Sequence, residues 1–212
     1  MEHNQSAKII KLVVICILAS LLNIFISVFF RSFMGFPLFL DTVFTAAVTF
    51  AFGLIPGIAV AALSLLIPYV YYKSFNFFIL CSIAEVLLIY ALKPAPVDIP
   101  DYAPKEKTIA YYTSIAAKLM LLYITCAISI SVLGGVIDYV SQVFLGKHYF
   151  SVEDTFKLSL IMNNLPILAV NILSRIPINI VDRFIVIFGG YFISLGLKKI
   201  TQEKIKTKNN NP

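Results

Sequence analysis

Four polar side chains recur at helical spacing in one apolar stretch of the chain, SRIPINIVDRFIVIFGG. Asn179 follows Arg175 by four residues, and Asp182 follows it by seven. Arg183 in turn follows Asn179 by four. Side chains at these intervals project from one side of a helix. Such a face could bind a polar ligand, although Arg175 alone could also belong to an interfacial belt of snorkelling cations.

The apolar run just before this group, Phe156–Ser174, is broken by polar residues and a proline. These residues are Asn163, Asn164, Pro166 and Asn171. Irregular backbone at membrane depth is tolerated only where protein shields it or where it lines a cavity. We therefore predict that Asn163 and Asn164 join the Arg175–Arg183 group in a substrate site, together with Asp41.

Three further ionisable residues lie in apolar surroundings. An ionisable side chain at membrane depth costs roughly 2.5–3.5 kcal/mol on insertion scales, so each needs a partner or a purpose. Glu85 and Lys118 stand at similar distances from the loop between their spans, which predicts an ion pair with either a structural or a ligand-coupling role. Asp41, in FPLFLDTVFTAA, either stabilises a helix start or points into an outward cavity.

Motifs for catalysis and for metal binding are absent from the sequence. It has no Walker A loop, HExxH or GxSxG, and its two histidines, His3 and His148, are isolated. The cysteines, Cys16, Cys81 and Cys126, all lie in apolar runs without ligand spacing. We expect neither an enzyme nor a bound metal or cofactor.

The composition requires a lipid environment for most of the chain. Of 212 residues, 59% are hydrophobic and 13% charged, and the mean hydropathy is +0.90. A soluble domain has about 25% charged residues. The net charge of +6 includes five lysines in the last fifteen residues, with no aromatic side chains between them. This pattern indicates contact with anionic lipid rather than with nucleic acid.

Apolar runs of suitable length predict an all-α membrane protein, a single transmembrane domain of about six helices. The predicted spans are about 9–30, 37–52, 58–72, 75–92, 108–132 and 176–197, with a turn at Gly53–Gly57 and a helix end at Gly134-Gly135. Pro177 is expected in the first turn of the last span. Residues 156–174 are expected to be re-entrant or interfacial, and 198–212 to form a basic cytoplasmic tail.

Charge decides between six spans and seven. Six spans, with both termini in the cytoplasm, leave five basic residues outside, namely Arg31, Lys73, Lys147, Lys157 and Arg175. The cytoplasmic segments then hold Lys8, Lys11, Lys93, Lys105, Lys107, Lys198, Lys199, Lys204, Lys206 and Lys208. This distribution follows the positive-inside rule, whereas seven spans would place the basic tail outside.

The stretch FPLFLDTVFTAAVTFAFGLIPGIAVAALS resembles the second and third spans of the S-components, the substrate-capture subunits of energy-coupling-factor (ECF) vitamin transporters. The residues that carry the resemblance are Asp41, Thr42, Ala46, Ala47, Gly53, Pro56 and Gly57. The ending LPILAVNILSRIPINIVDRFIVIFGGYFISLGLKK is similar to the last part of S-component-like proteins.

The resemblance implies a cell-membrane protein that captures a vitamin or similar micronutrient from outside. It would dock, through small residues of its first helices, with a transmembrane T-component driven by two ATPase subunits, which alone would use ATP. Small residues around Cys16–Ser20 and Gly57–Ala62 fit either such docking or packing within the chain. The alternative function is a membrane sensor or assembly module that does not transport.

Overall fold

A computed structural model of the chain describes residues 2–32, 38, 40–72, 77–95, 105–146, 157, 160–161 and 164–209. The regular elements in these ranges are helical, and no strand occurs among them. The helices are α1 (Glu2–Ser32), α2 (Val43–Phe52), α3 (Leu54–Tyr72), α4 (Ile79–Leu92), α5 (Lys105–Leu145), α6 (Ile167–Phe184) and α7 (Gly190–Asn209). A π-helical segment, Ile185–Gly189, joins α6 directly to α7.

Three of the helical stretches are long and apolar enough to cross a membrane. They are Ile9–Phe30, Glu106–Phe144 and Ile167–Thr201, with 22, 39 and 35 residues. About 20 residues suffice to span a bilayer. The chain is therefore an all-helical protein with the composition of a membrane protein. The first of these stretches has the predicted bounds of span one.

Two of the remaining helices, α2 and α4, are shorter than the predicted spans, whereas α3 begins four residues before the predicted start of span three. Val43–Phe52 has 10 residues, and Leu54–Ile67 and Ile79–Leu92 lie in the same 10–17-residue class. Helix α2 begins at Val43, six residues after the predicted start of span two. The predicted five-residue turn reduces to Gly53 alone, whose φ of +95° is readily adopted by glycine, and Pro56 and Gly57 are helical.

Helix α2 lies at the centre of the bundle. Seven of its ten residues are buried, and it packs against α1, α3, α4, the π-helical segment and α7. Close approach to the last helix depends on Gly190, where an added Cβ would lie 2.8 Å from the Ala46 Cβ. Small residues at such a crossing let two backbones approach closely.

Contacts between helices define two ends of the bundle. Leu12 of α1, Phe52 of α2 and Leu197 of α7 pack against one hydrophobic cluster. We call this the terminal end, because the first helix starts and the last helix finishes on this side. The opposite, distal end contains the start of α4 and the contact between Asp138 of α5 and Arg175 of α6. Helices α5 and α6 run antiparallel, whereas α2 and α6 run parallel.

The helix end predicted at Gly134-Gly135 was wrong. Helix α5 continues through both glycines to Leu145. The absence of side chains at these two positions lets α6 approach α5 closely. A Cβ on Gly135 would lie 2.6 Å from Ile172 Cγ1, and one on Gly134 would lie 3.1 Å from Arg175 Nη1. These glycines accommodate a helix contact instead of ending a helix.

The start predicted for the last span was also wrong. Helix α6 begins at Ile167, directly after Pro166, so residues 167–174 are helical and continuous with the predicted last span. Pro177 therefore lies inside the helix and not in its first turn. Parts of 156–166, including Asn163, lie outside the described residues.

Candidate functional site

One face of α6 carries the polar residues singled out in the sequence, and that face is buried. Asn171, Arg175, Asn179, Asp182 and Arg183 are all buried against neighbouring helices. The predicted projection of Arg175, Asn179, Asp182 and Arg183 from one side of a helix is confirmed. Their contacts, however, divide them into two charged clusters, and a neutral hydrogen bond from Asn179 to α5 lies between these clusters along the helix.

The first cluster forms where side chains of α6 reach α4 and the peptide that precedes α2, and we call it the Arg183 cluster (Asp41, Thr42, Glu85, Asp182 and Arg183). Arg183 Nη1 donates to Glu85 Oε2 at 2.5 Å and to Thr42 Oγ1 at 3.1 Å. Arg183 Nε donates to Asp182 Oδ2 at 3.1 Å, and Nη2 donates to the same oxygen. One guanidinium group thus connects α6 with α4 and with Thr42, the residue before α2.

The peptide that leads into α2 is part of the Arg183 cluster. The Leu40 amide donates to Asp182 Oδ1 at 2.9 Å. Thr42 is the residue before α2, yet its side chain makes no capping hydrogen bond and accepts from Arg183 instead. Asp41 is only half-buried and precedes the helix, within electrostatic range of Glu85, Asp182 and Arg183.

Glu85 is completely buried, with only one of its two carboxylate oxygens bonded. Its Oε1 atom has no hydrogen-bond partner among the described residues. A buried oxygen that lacks a donor costs about 1–3 kcal/mol relative to a satisfied one. Glu85 is therefore placed to accept a further donor.

The Arg183 cluster lies inside the apolar part of the bundle, near its distal end. Asn23 of α1 accepts from the Phe44 amide at 2.9 Å, so Asn23 and Phe44 lie at the same height along the bundle. Thr42 precedes Phe44 by two residues, and the apolar stretch of α1 ends at Phe30. At 1.5 Å per residue, the cluster is roughly 7 Å inside the end of that stretch.

The second cluster is farther toward the distal end, and we call it the Arg175 cluster (Asp138, Lys157 and Arg175). Arg175 donates from Nε and Nη2 to Asp138 Oδ2, at 2.9 and 2.8 Å. Lys157 Nζ donates to the same oxygen at 3.3 Å. The Arg175 guanidinium also lies 4.6 Å from the centre of the Phe78 ring, within the range of a cation–π contact.

Neutral amide contacts continue the α5–α6 contact on either side of the Arg175 cluster. Asn171 Nδ2 donates to Gln142 Oε1 at 3.1 Å, and Asn179 Nδ2 donates to Ser131 Oγ at 3.0 Å. These bonds follow the spacing of α6 and hold the two long helices in one register. Asn179 therefore binds α5 and is not in direct contact with either charged cluster.

The predicted Glu85–Lys118 ion pair was wrong. Glu85 pairs with Arg183, whereas the Lys118 side chain is exposed. The two residues share a similar depth, but they point to opposite surfaces: Glu85 into the bundle and Lys118 away from it. Asn164 is also exposed, with a φ of +56°, and is not among the contacts of either cluster.

Sequence reasoning missed Asp138 and Asn23. Asp138 lies beyond the helix end that the sequence predicts at Gly134-Gly135. Asn23 is an amide in an otherwise apolar run, and this was the sequence signal for a polar contact inside the bundle. It donates to Thr45 Oγ1 and Ser64 Oγ at 2.9 and 3.2 Å. It connects α1, α2 and α3 near the level of the Arg183 cluster.

The backbone changes from α-helical to π-helical geometry two residues after Arg183. Residues Ile185–Gly189 are π-helical. Such segments insert an extra residue into a turn and occur frequently at functional sites. The sequence contained no signal for it.

A groove of about 290 Å³ lies on the outer surface between α5 and α6. It is lined by Tyr123, Ile124, Ala127, Ile128, Ser131, Val132, Ile176 and Ile180. Its lining is almost entirely apolar and includes side chains on the exposed surface of both helices. The groove is therefore separate from the charged clusters.

Within the described ranges, no three or more His, Cys, Asp or Glu side chains are grouped so as to hold a metal ion. Comparisons of the chain with protein family models, with curated proteins and with solved structures give no match.

Proposed function

We propose that this protein is the substrate-binding subunit of an ECF-type importer. In this function it captures a vitamin or similar small micronutrient from outside the cell and docks with a transmembrane T-component and ATPase subunits. The partners hydrolyse ATP, and this chain does not. The resemblance of the stretches around Asp41 and Arg175–Arg183 to S-components supports the proposal.

The Arg183 cluster is the observation that carries the proposal. Ionisable residues inside an apolar helical bundle are costly and mark sites of binding or transport more often than sites of packing. Here they contact a non-helical peptide ahead of α2, and a π-helical segment begins two residues after Arg183. Transporters use irregular backbone next to buried charge to build binding sites.

The proposed orientation places the distal end outside and both termini in the cytoplasm. Six helical passages then cross the membrane, three of them formed by the long helices and three by the shorter α2, α3 and α4. The five lysines near the carboxyl end lie on the cytoplasmic side, where anionic lipid favours them. The Arg183 cluster then lies in the outer part of the bundle.

The docking surface for partner subunits has to lie elsewhere than expected from the resemblance. Cys16, Ala19 and Ser20 of α1 are buried, and Ser20 Oγ is 3.4 Å from the Val60 carbonyl oxygen. These small residues therefore serve packing within the chain. The exposed surfaces of α1 and α5 remain free for contact with a T-component.

Purification in mild detergent, followed by mass spectrometry of small molecules and of proteins, tests the function. We expect a small molecule in near-stoichiometric amount, together with a T-component and ATPase subunits. An Arg175→Ala plus Asp182→Ala double variant should lose the small molecule. Retention at the wild-type level by this variant would contradict the site.

The same purification separates the alternative function. A signalling protein that co-purifies, with neither a small molecule nor an ATPase, would identify a membrane sensor or assembly module. That result would overturn the transport proposal.

A further inference from the structure

The Arg183 cluster contains more carboxylates than cations. Asp41, Glu85 and Asp182 lie within electrostatic range of one another, and Arg183 is their shared cation. Among the described side chains, the cluster thus has three carboxylates and one guanidinium. The two completely buried carboxylates, Glu85 and Asp182, share this one cation. Because charge in an apolar interior is stable only when it is paired, these two carboxylates favour one additional positive charge.

Glu85 Oε1 is the atom positioned to meet that charge. The other oxygen of Glu85 accepts from Arg183, and both oxygens of Asp182 accept from Arg183 or from the Leu40 amide. Glu85 Oε1 has no partner and belongs to a completely buried residue. The position of the missing donor is therefore defined by an atom and not only by a charge difference.

We infer that the captured molecule carries a cationic N–H group, such as an ammonium, amidinium or guanidinium group, and that this group binds Glu85 Oε1. This inference rests on the proposed function and assigns the chemical class of its substrate. A cationic N–H supplies both the hydrogen bond that Oε1 lacks and the charge that the cluster lacks. A metal ion would need more grouped ligands than the described residues provide.

Asp41 differs from the other two carboxylates of the cluster in its exposure. It is half-buried, whereas Glu85 and Asp182 are completely buried, so it is the most accessible carboxylate of the cluster. The peptide from Leu40 to Thr42 is held beside the cluster by the Leu40 N–H···Asp182 bond and by the contact between Thr42 and Arg183.

The Arg175 cluster does not provide a comparable binding position for a cationic group. Among the described residues its carboxylate is that of Asp138, which already accepts from two cations. Arg175 in addition contacts the Phe78 ring. An anionic group of the substrate could reach the Arg175 cluster, but the structure gives no unpaired atom there to define a position.

The test uses a water-soluble metabolite extract as the probe. Detergent-purified wild-type protein is incubated with the extract and washed, and the retained compounds are identified by mass spectrometry. Glu85→Gln removes the charge and keeps the shape. Glu106→Gln is the matched control, because Glu106 is an exposed residue in the first turn of α5, away from the cluster.

We expect the wild type to retain a compound with a cationic N–H group. Glu85→Gln should retain it about 10- to 100-fold less, as expected when a charged hydrogen bond is lost. Glu106→Gln should match the wild type. Size-exclusion profiles establish that each variant is folded, and the class of compound is identified on the wild type even if Glu85→Gln fails to fold.

Each contrary result has a separate meaning. A retained compound without a cationic group, or equal retention by folded Glu85→Gln, overturns the inference and leaves small-molecule capture intact. Retention of no compound by the wild type overturns the proposed function itself.

Discussion

The two charged clusters of α6 are eight residues apart, about 12 Å along the helix, yet their surroundings differ. In the Arg183 cluster one guanidinium serves several carboxylates and holds the peptide before α2 in place. In the Arg175 cluster two cations converge on one carboxylate oxygen. The difference is that carboxylates outnumber the cation in the Arg183 cluster, whereas cations outnumber the carboxylate among the described residues of the Arg175 cluster.

The two clusters also differ in the number of cations that pair with each buried carboxylate. Glu85 and Asp182 both depend on Arg183 for their buried charge. Asp138 keeps one cation if the other is removed. Loss of the arginine should therefore lower the free energy of unfolding more in the Arg183 cluster than in the Arg175 cluster.

The largest effect is expected for Arg183→Met. It leaves Glu85 and Asp182 buried without their cation, which should lower the free energy of unfolding by about 3–5 kcal/mol. The buried free cysteines, Cys16, Cys81 and Cys126, allow a measurement with a thiol-reactive fluorophore during heating in detergent. An unchanged unfolding midpoint would show that the Arg183 cluster does not hold the bundle together.

Arg175→Met should have a smaller effect. Lys157 remains bonded to Asp138, so the expected loss is about 1.5–3 kcal/mol, as for hydrogen bonds to a charged group. The same thermal assay, run beside Arg183→Met, measures the difference. A loss equal to or greater than that of Arg183→Met would contradict the shared support of Asp138.

A still smaller effect is expected for Asn179→Ala, which removes the neutral bond between the clusters. The loss of the Asn179–Ser131 bond should cost about 1 kcal/mol. Ser131→Ala is the partner variant, and the double variant should add little to either single change. Fully additive losses would mean that the two side chains do not interact.

The smallest effect is expected for Lys118→Met. The side chain is exposed and Glu85 is paired with Arg183, so the unfolding midpoint should stay at the wild-type value. A double-mutant cycle with Glu85→Gln should give additive changes. A strong coupling energy between Glu85 and Lys118 would restore the ion pair expected from their similar depth.

The membrane character of the chain was determined by the sequence alone. An apolar run has to be removed from water whatever its neighbours are, so composition and run length sufficed to predict helices and the bounds Ile9–Phe30. The common face of Arg175, Asn179, Asp182 and Arg183 followed from helical periodicity, which is equally local.

Only the tertiary structure decided how far the helices extend and which charges pair. In the sequence, Gly134-Gly135 resembles a helix end, but in the structure α6 packs against these two glycines. Glu85 and Lys118 share a depth, but depth does not determine the direction in which each side chain points. The partner of Glu85 comes from a helix 98 residues away, because a buried charge binds whichever opposite charge the packing brings within reach.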